Sequence, residues 1–227
     1  MTATSVRETT PPDTRTRNVA LIAVVAAAAA VSALVGLLVT PSSSGAMPGM
    51  SSTHYMELLA TNQPWNLLIF MATPVVLAEI LAVSELALLF RSDNPAWVKS
   101  LSRTAGLIAG PVMVGILLHL LRYAVVPLTT GGGWRGVADV IAVSFYLVGA
   151  FPMVGITLVE LGLLGRDAEH VRKLHATFVG AFLVVAHVAM IFGMLDPTLL
   201  WNPTHAMPGG TSMPGMNHVP LASATPR

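Results

Sequence analysis

The chain has 227 residues, 54% of them hydrophobic and only 10% charged, with a mean hydropathy of +0.71. Soluble domains carry about 25% charged residues, so this composition cannot clothe a dissolved globule in polar surface and requires lipid around it. The absence of cysteine excludes disulfide frameworks, iron–sulfur clusters, thiolate zinc sites and cysteine nucleophiles, and a net charge of +1 supplies no field to steer nucleic acid.

Residues 1–18 are rich in Thr, Arg and Pro and are expected to be a disordered cytoplasmic segment. Residues 19–39 form an Ala/Val/Leu run without a charge, long enough to cross the ~30 Å hydrocarbon layer. The preceding arginines and the following Ser44-Gly45-Ala46 also fit a cleaved signal peptide, but 21 residues exceed the usual signal core of about 7–15. An uncleaved helix is the reading retained. Residues 40–64 read as an extracytoplasmic loop containing Met and His. Four more spans follow, at about 65–90, 104–126, 137–164 and 174–200. The expected architecture is all-α and integral to the membrane. It has about five transmembrane helices, with the four in 65–200 packed as an antiparallel four-helix bundle. Pro74, Pro111 and Pro152 predict kinks, because each leaves a backbone carbonyl without its donor. Residues 201–227, rich in Pro, Gly, Ser and Met, predict a flexible tail.

Basic residues set the expected orientation. With the N-terminus in the cytoplasm, Arg7, Arg15, Arg17, Arg91, Lys99, Arg103, Arg166, Arg172 and Lys173 fall inside, against Arg122, Arg135 and Arg227 outside. Nine against three is a positive-inside bias, and it places the C-terminus outside the inner (plasma) membrane. All four tryptophans sit at span ends, where amphipathic rings prefer the interface.

One repeat stands out. Met47-Pro48-Gly49-Met50 is followed by His54 and Met56, and the tail carries His205, Met207, Met213-Pro214-Gly215-Met216 and His218. The expected topology puts both copies on one side. Thioether sulfur suits Cu(I) better than Zn, Mg or Ca, and imidazole adds a ligand for Cu(II). Six of the twelve methionines lie in these polar segments, although Met ordinarily fills apolar gaps. The competing reading is a weakly constrained tail in which Met, Pro and Gly carry no chemistry.

Charges in hydrocarbon cost at least about 2.5–3.5 kcal/mol, so each ionisable residue within a span invites a functional question. Counting along the helices puts Glu79, His119 and His187 at similar depth, with Glu85, Glu160 and His175 nearer the cytoplasm. Glu57, Arg122, Asp139 and Asp196 form an outer rim. These layers are consistent with a path for ions or protons. His119 and His187 could instead ligate haem b between the third and fifth spans, and a purely structural role in holding helix register competes with both. His187, Met190 and Met194 share one face of the fifth span, extending a possible soft-metal route or simply packing. Arg122 is expected to pair with Asp139 or Asp196, and His170 and His175 to be solvated or capping.

Three segments carry a resemblance. They are His54-Tyr55-Met56-Glu57-Leu58-Leu59, Val126-Pro127-Leu128-Thr129-Thr130 with Trp134-Arg135-Gly136-Val137-Ala138-Asp139, and the fifth-span text from Leu174 to Gly180 and from Ala186 to Pro197. Together they resemble an uncharacterised family of small bacterial membrane proteins labelled permeases, over about residues 54–200. The resemblance implies a membrane location and transport, and assigns no functional residue. The expected function is copper handling (binding, delivery or transport) at the outer face. Expected partners are the lipid bilayer and, beyond it, a larger membrane complex or copper enzyme, without nucleic acid. The alternatives are a haem-binding or electron-transfer subunit and a non-catalytic accessory subunit.

Overall fold

A computed structural model describes residues 14–40, 52–90 and 95–197. Nine α-helices occur among the described residues: α1 (Thr14–Leu38), α2 (His54–Ala60), α3 (Trp65–Leu67), α4 (Thr73–Phe90), α5 (Ala96–Leu120), α6 (Val126–Gly131), α7 (Val137–Val148), α8 (Ala150–Glu160) and α9 (Ala168–Met194). Short π-helical turns, Leu68–Ala72 and Leu121–Val125, join α3 to α4 and α5 to α6. Five segments are long and apolar enough to cross a membrane: Asn18–Leu38, Trp65–Leu88, Ala96–Gly131, Val137–Glu160 and Ala168–Met194. The protein is all-α and multi-pass.

Spans two to five close into a ring. The second packs on the third through α4 and α5, the third on the fourth through α5 and α8, and the fourth on the fifth through α7, α8 and α9. Contacts between α4 and α9 complete the ring. Leu81, Met113, Met153 and Ile156 are fully buried in its interior, while Val83, Phe90, Phe151, Val184 and Ile191 are exposed on its outside. An apolar exterior of this kind is what lipid solvates. The first span lies outside the ring, against α5. There Gly36 and Gly115 permit close approach, since a Cβ on Gly36 would sit 2.2 Å from the Gly115 carbonyl oxygen.

Three prolines lie within the spans, and side chains of neighbouring helices bond to backbone groups near two of them. Pro74 has no N–H to give the Phe70 carbonyl, and the Tyr146 hydroxyl donates to that oxygen instead. The span containing Pro152 breaks three residues earlier, at Gly149 between α7 and α8. α5 runs unbroken through Pro111, and a side chain bonds to the backbone of the turn before it. The Thr157 hydroxyl of α8 donates to the Gly106 carbonyl at 2.6 Å and accepts the Gly110 N–H at 2.8 Å. It therefore bridges the two groups that an i→i−4 bond joins in a regular helix.

Element boundaries depart from the sequence reading at four points. The first helix begins at Thr14, within the stretch expected to be disordered. The 40–64 loop contains α2. The third span runs from Ala96 to Gly131, because Trp97, Lys99 and Arg103 extend the helix into the interface while a π turn adds length at the other end. The fifth runs from Ala168 to Met194, starting where the Asp167 carboxylate accepts the His170 N–H at 2.8 Å.

Candidate metal-binding site

The short helix α2 sits at the end of the bundle where α7 begins and α9 ends. The Thr53 hydroxyl accepts the Met56 N–H at 3.4 Å, capping α2. The same hydroxyl donates to the Gly193 carbonyl of α9 at 2.6 Å. Tyr55 packs against Gly193, where a Cβ would clash at 2.6 Å. Burial pushes the Tyr55 hydroxyl up to about 12, so it stays neutral. These contacts hold His54 and Met56 in place as α2 docks.

His54 is positioned by Asp139, which is fully buried in the first turn of α7. One carboxylate oxygen accepts the His54 backbone N–H at 2.7 Å, and the other lies 2.6 Å from His54 Nδ1. The Arg135 N–H also donates to this carboxylate, at 3.2 Å. An ionised carboxylate can only accept, so Nδ1 carries a proton, and Nε2 is the nitrogen on which the neutral form of the ring keeps its lone pair. A carboxylate behind an imidazole is the arrangement that orients metal-ligating histidines and raises their basicity. Arg135 completes the cluster, donating to the Ser52 carbonyl at 2.6 Å and pairing with Glu57. The edge of Trp134 approaches the His54 ring, with centroids 6.4 Å apart. The His54 side chain itself is about one-fifth exposed, enough for an incoming ligand to reach it.

Of the expected outer ligands, His54 and Met56 fall within this cluster. Met47, Met50, His205, Met207, Met213, Met216 and His218 lie outside the described residues. Among the described residues, no three His, Asp or Glu side chains are arranged to hold a metal ion. Asp139 is one of the two acids, with Asp196, expected to pair with Arg122. It is committed to His54 instead, while the Arg122 guanidinium lies over the Tyr123 ring at 5.5 Å.

The expected internal layer divides in two. Glu79 and His187 line one cavity of about 180 Å³ between the second, third, fourth and fifth spans, together with Met71, Met113 and Met190. Both polar residues are exposed at its edge, and His187 Nδ1 donates to the Leu183 carbonyl of its own helix at 2.6 Å. His119 faces elsewhere. Its Nδ1 donates to the Gly36 carbonyl of α1 at 3.0 Å, and its ring borders a separate cavity beside the first span. The two histidines expected to face each other across a haem thus line different cavities, with Phe70 contributing to the walls of both. Met194, expected to extend the His187 stripe, is exposed and outside the cavity lining.

Glu85 and Glu160 meet at the opposite end of the bundle, on either side of His175. Their carboxylates lie 3.0 Å from Nδ1 and 3.2 Å from Nε2, distances of ion pairing, although neither contact has the alignment of a hydrogen bond. His175 is 3% exposed, which corrects the expectation of a solvated residue. Sequence reading missed Asp139 and Arg135 as the frame of His54. The available signal was an acid in the first turn of an apolar helix, four residues after an arginine.

Comparison with curated proteins and with solved structures returns no significant match. The profile of a family of unknown function, DUF6803, matches residues 50–208, from the second Met of the first Met-Pro-Gly-Met motif into the tail and without the first span. The chain belongs to this family of unknown function.

Proposed function

We propose that this membrane protein binds monovalent copper at its extracytoplasmic face and holds it for delivery or transport. The observation that carries the reading is the His54–Asp139 pair. An imidazole with its Nδ1 turned to a buried carboxylate, which directs Nε2 to serve as the ligating nitrogen of the neutral ring, stands four residues after Met50 of Met47-Pro48-Gly49-Met50 and two before Met56. Thioethers prefer Cu(I), and a pre-oriented imidazole supplies the stronger donor that Met alone lacks. The nine-to-three distribution of basic residues supports an orientation with α2 outside. In that orientation the Met/His-rich segment 204–227 emerges on the same side as α2 and can add its own thioethers. A larger membrane complex or copper enzyme is the proposed recipient.

Competition titration of the purified protein with a chromophoric Cu(I) chelator tests this reading. Met47→Leu, Met50→Leu and Met56→Leu, combined with removal of residues 204–227, keep the apolar bulk while deleting sulfur. The substituted protein should lose at least tenfold in Cu(I) affinity, and Zn(II) should compete poorly in the intact chain. Equal Cu(I) affinity for the two proteins overturns the reading. A Soret band in the purified protein would favour the haem alternative instead.

A further inference from the structure

The cavity beneath α2 has a donor set that the outer cluster does not use. Met71, Met113 and Met190 come from three different spans and line the same void of about 180 Å³, with His187 and Glu79 at its edge. Met113 is 1% exposed and lines this void, although core methionines ordinarily fill gaps of this kind. Glu79 adds a second observation. It is exposed at the surface of a transmembrane span and has no hydrogen-bond or ion-pair partner among the described residues. A lone carboxylate at such a position is costly, and a monovalent cation in the cavity would neutralise it. His187 adds a third, since the carbonyl of Leu183 can only accept from Nδ1, so Nε2 is the nitrogen the neutral ring would offer to a metal.

We propose that this cavity is a second soft-metal site, binding Cu(I) or Ag(I) through the thioethers of Met71, Met113 and Met190 and the His187 imidazole, with Glu79 balancing the charge. Three neutral sulfurs, a neutral imidazole and one carboxylate make a net-neutral assembly with a monovalent ion. With a divalent ion the same set would leave a buried positive charge. The site rests on the soft-metal reading of the outer face and extends it inward. Tyr55, on the same short helix as His54 and Met56, forms part of the cavity wall, so α2 contributes a residue to each site. An ion released from the outer cluster would next meet these thioethers.

The test uses the full chain in nanodiscs under anaerobic conditions, with Cu(I) titrated against a competing chelator and sulfur coordination read by X-ray absorption. The protein carrying Met47→Leu, Met50→Leu and Met56→Leu and lacking residues 204–227 should retain one Cu(I) per chain with sulfur neighbours. Adding Met113→Leu and Met190→Leu, which nearly conserve volume, should weaken that remaining ion at least tenfold. Glu79→Gln, at an exposed position, should weaken Cu(I) and Ag(I) alike without changing thermal unfolding. If the outer-deficient protein binds no Cu(I), or the cavity substitutions leave its affinity unchanged, or Glu79→Gln has no effect, the cavity site is overturned while the outer reading can still stand. Conversely, full loss on cavity substitution with no loss on outer substitution would overturn the outer reading and leave the cavity site intact.

Discussion

Asp139 holds His54 twice, accepting the backbone N–H at 2.7 Å through one carboxylate oxygen and lying 2.6 Å from the ring Nδ1 through the other. The residue that fixes where α2 begins therefore also fixes how the imidazole is turned. Folding of the loop and preparation of the ligand depend on one buried carboxylate.

Asp139→Asn separates these roles poorly, and this defines the first prediction. An Asn side chain offers one accepting oxygen and one donating amide where three N–H groups converge, so at least one donor faces another. The substitution should cost about 1–3 kcal/mol of stability, measured as a lower unfolding midpoint in detergent. It should also lower metal affinity about 10–100-fold, the usual effect of removing the group behind a ligating histidine. Unchanged Cu(I) affinity with a lowered midpoint would make Asp139 a folding residue alone.

The bridge from Glu85 through His175 to Glu160 predicts strong non-additivity. It ties α4, α8 and α9 at one end of the bundle, with His175 almost wholly buried. Removing the imidazole leaves two carboxylates near each other in a medium of low dielectric. His175→Leu should therefore destabilise by about 3–5 kcal/mol, the range for breaking a buried pair. Adding Glu85→Gln and Glu160→Gln to His175→Leu should recover a large part of that loss, because the uncompensated charges are gone. Thermal unfolding of the wild type, His175→Leu, the Glu85→Gln and Glu160→Gln double variant, and the triple variant measures the coupling directly, and simple additivity would reduce the bridge to incidental proximity.

Thr157 supplies a third prediction. Its hydroxyl bonds both the Gly106 carbonyl and the Gly110 N–H, so Thr157→Val removes the partner these two buried backbone groups share without changing side-chain shape. Hydrogen bonds in bilayers are worth about 0.6–1.7 kcal/mol, and a loss in that range is expected. Gly110→Ala should be worse, since its Cβ would stand 2.5 Å from the Thr157 hydroxyl oxygen. Should Gly110→Ala unfold at the wild-type midpoint, the helices cannot be as close as this hydroxyl requires.

The spans were legible because an apolar run of about 20 residues has few other uses. The internal layer was only half legible, for a geometric reason. Counting residues gives depth along a helix but not the direction in which each side chain faces. Met113 and His119 lie six positions apart on α5, about 240° around a helix of 3.6 residues per turn, so one lines the Glu79 cavity while the other turns toward α1. Glu79 and His187 did come to share a cavity, as their similar depth suggested. Thr157 carried no signal in the sequence, because a threonine in an apolar span reads as packing until its neighbour's backbone is known. His175 was read from its basic neighbours Arg172 and Lys173, whereas its environment is set by two carboxylates distant in sequence.

The first span supplies the last prediction. His119 Nδ1 donates to the Gly36 carbonyl at 3.0 Å, and the Tyr123 hydroxyl donates to the Leu37 carbonyl at 2.8 Å. Both acceptors belong to the last turn of α1, where a helix leaves its carbonyls without intrahelical donors. The third span thus caps the first at the same place where Gly36 and Gly115 bring the backbones together. A signal sequence destined for removal has no need of donors waiting for its carbonyls. The mature protein should therefore retain α1, and peptides from Asn18–Leu38 should be found in it by mass spectrometry. Loss of residues up to Ala46 would overturn this. Retention also fixes the parity of the topology. A reporter active only outside the cytoplasm should be active when fused after Arg227 and silent when inserted near Ser92. Gly115→Leu should undock α1, because even a Cβ there would stand 2.7 Å from the Ser32 carbonyl oxygen. That substitution should lower the unfolding midpoint while leaving both reporter results unchanged, since the positive-inside bias acts through the basic residues and not through this contact. A reporter pattern reversed in the wild-type chain would place α2 and its histidine in the cytoplasm and remove the basis for an extracytoplasmic copper site.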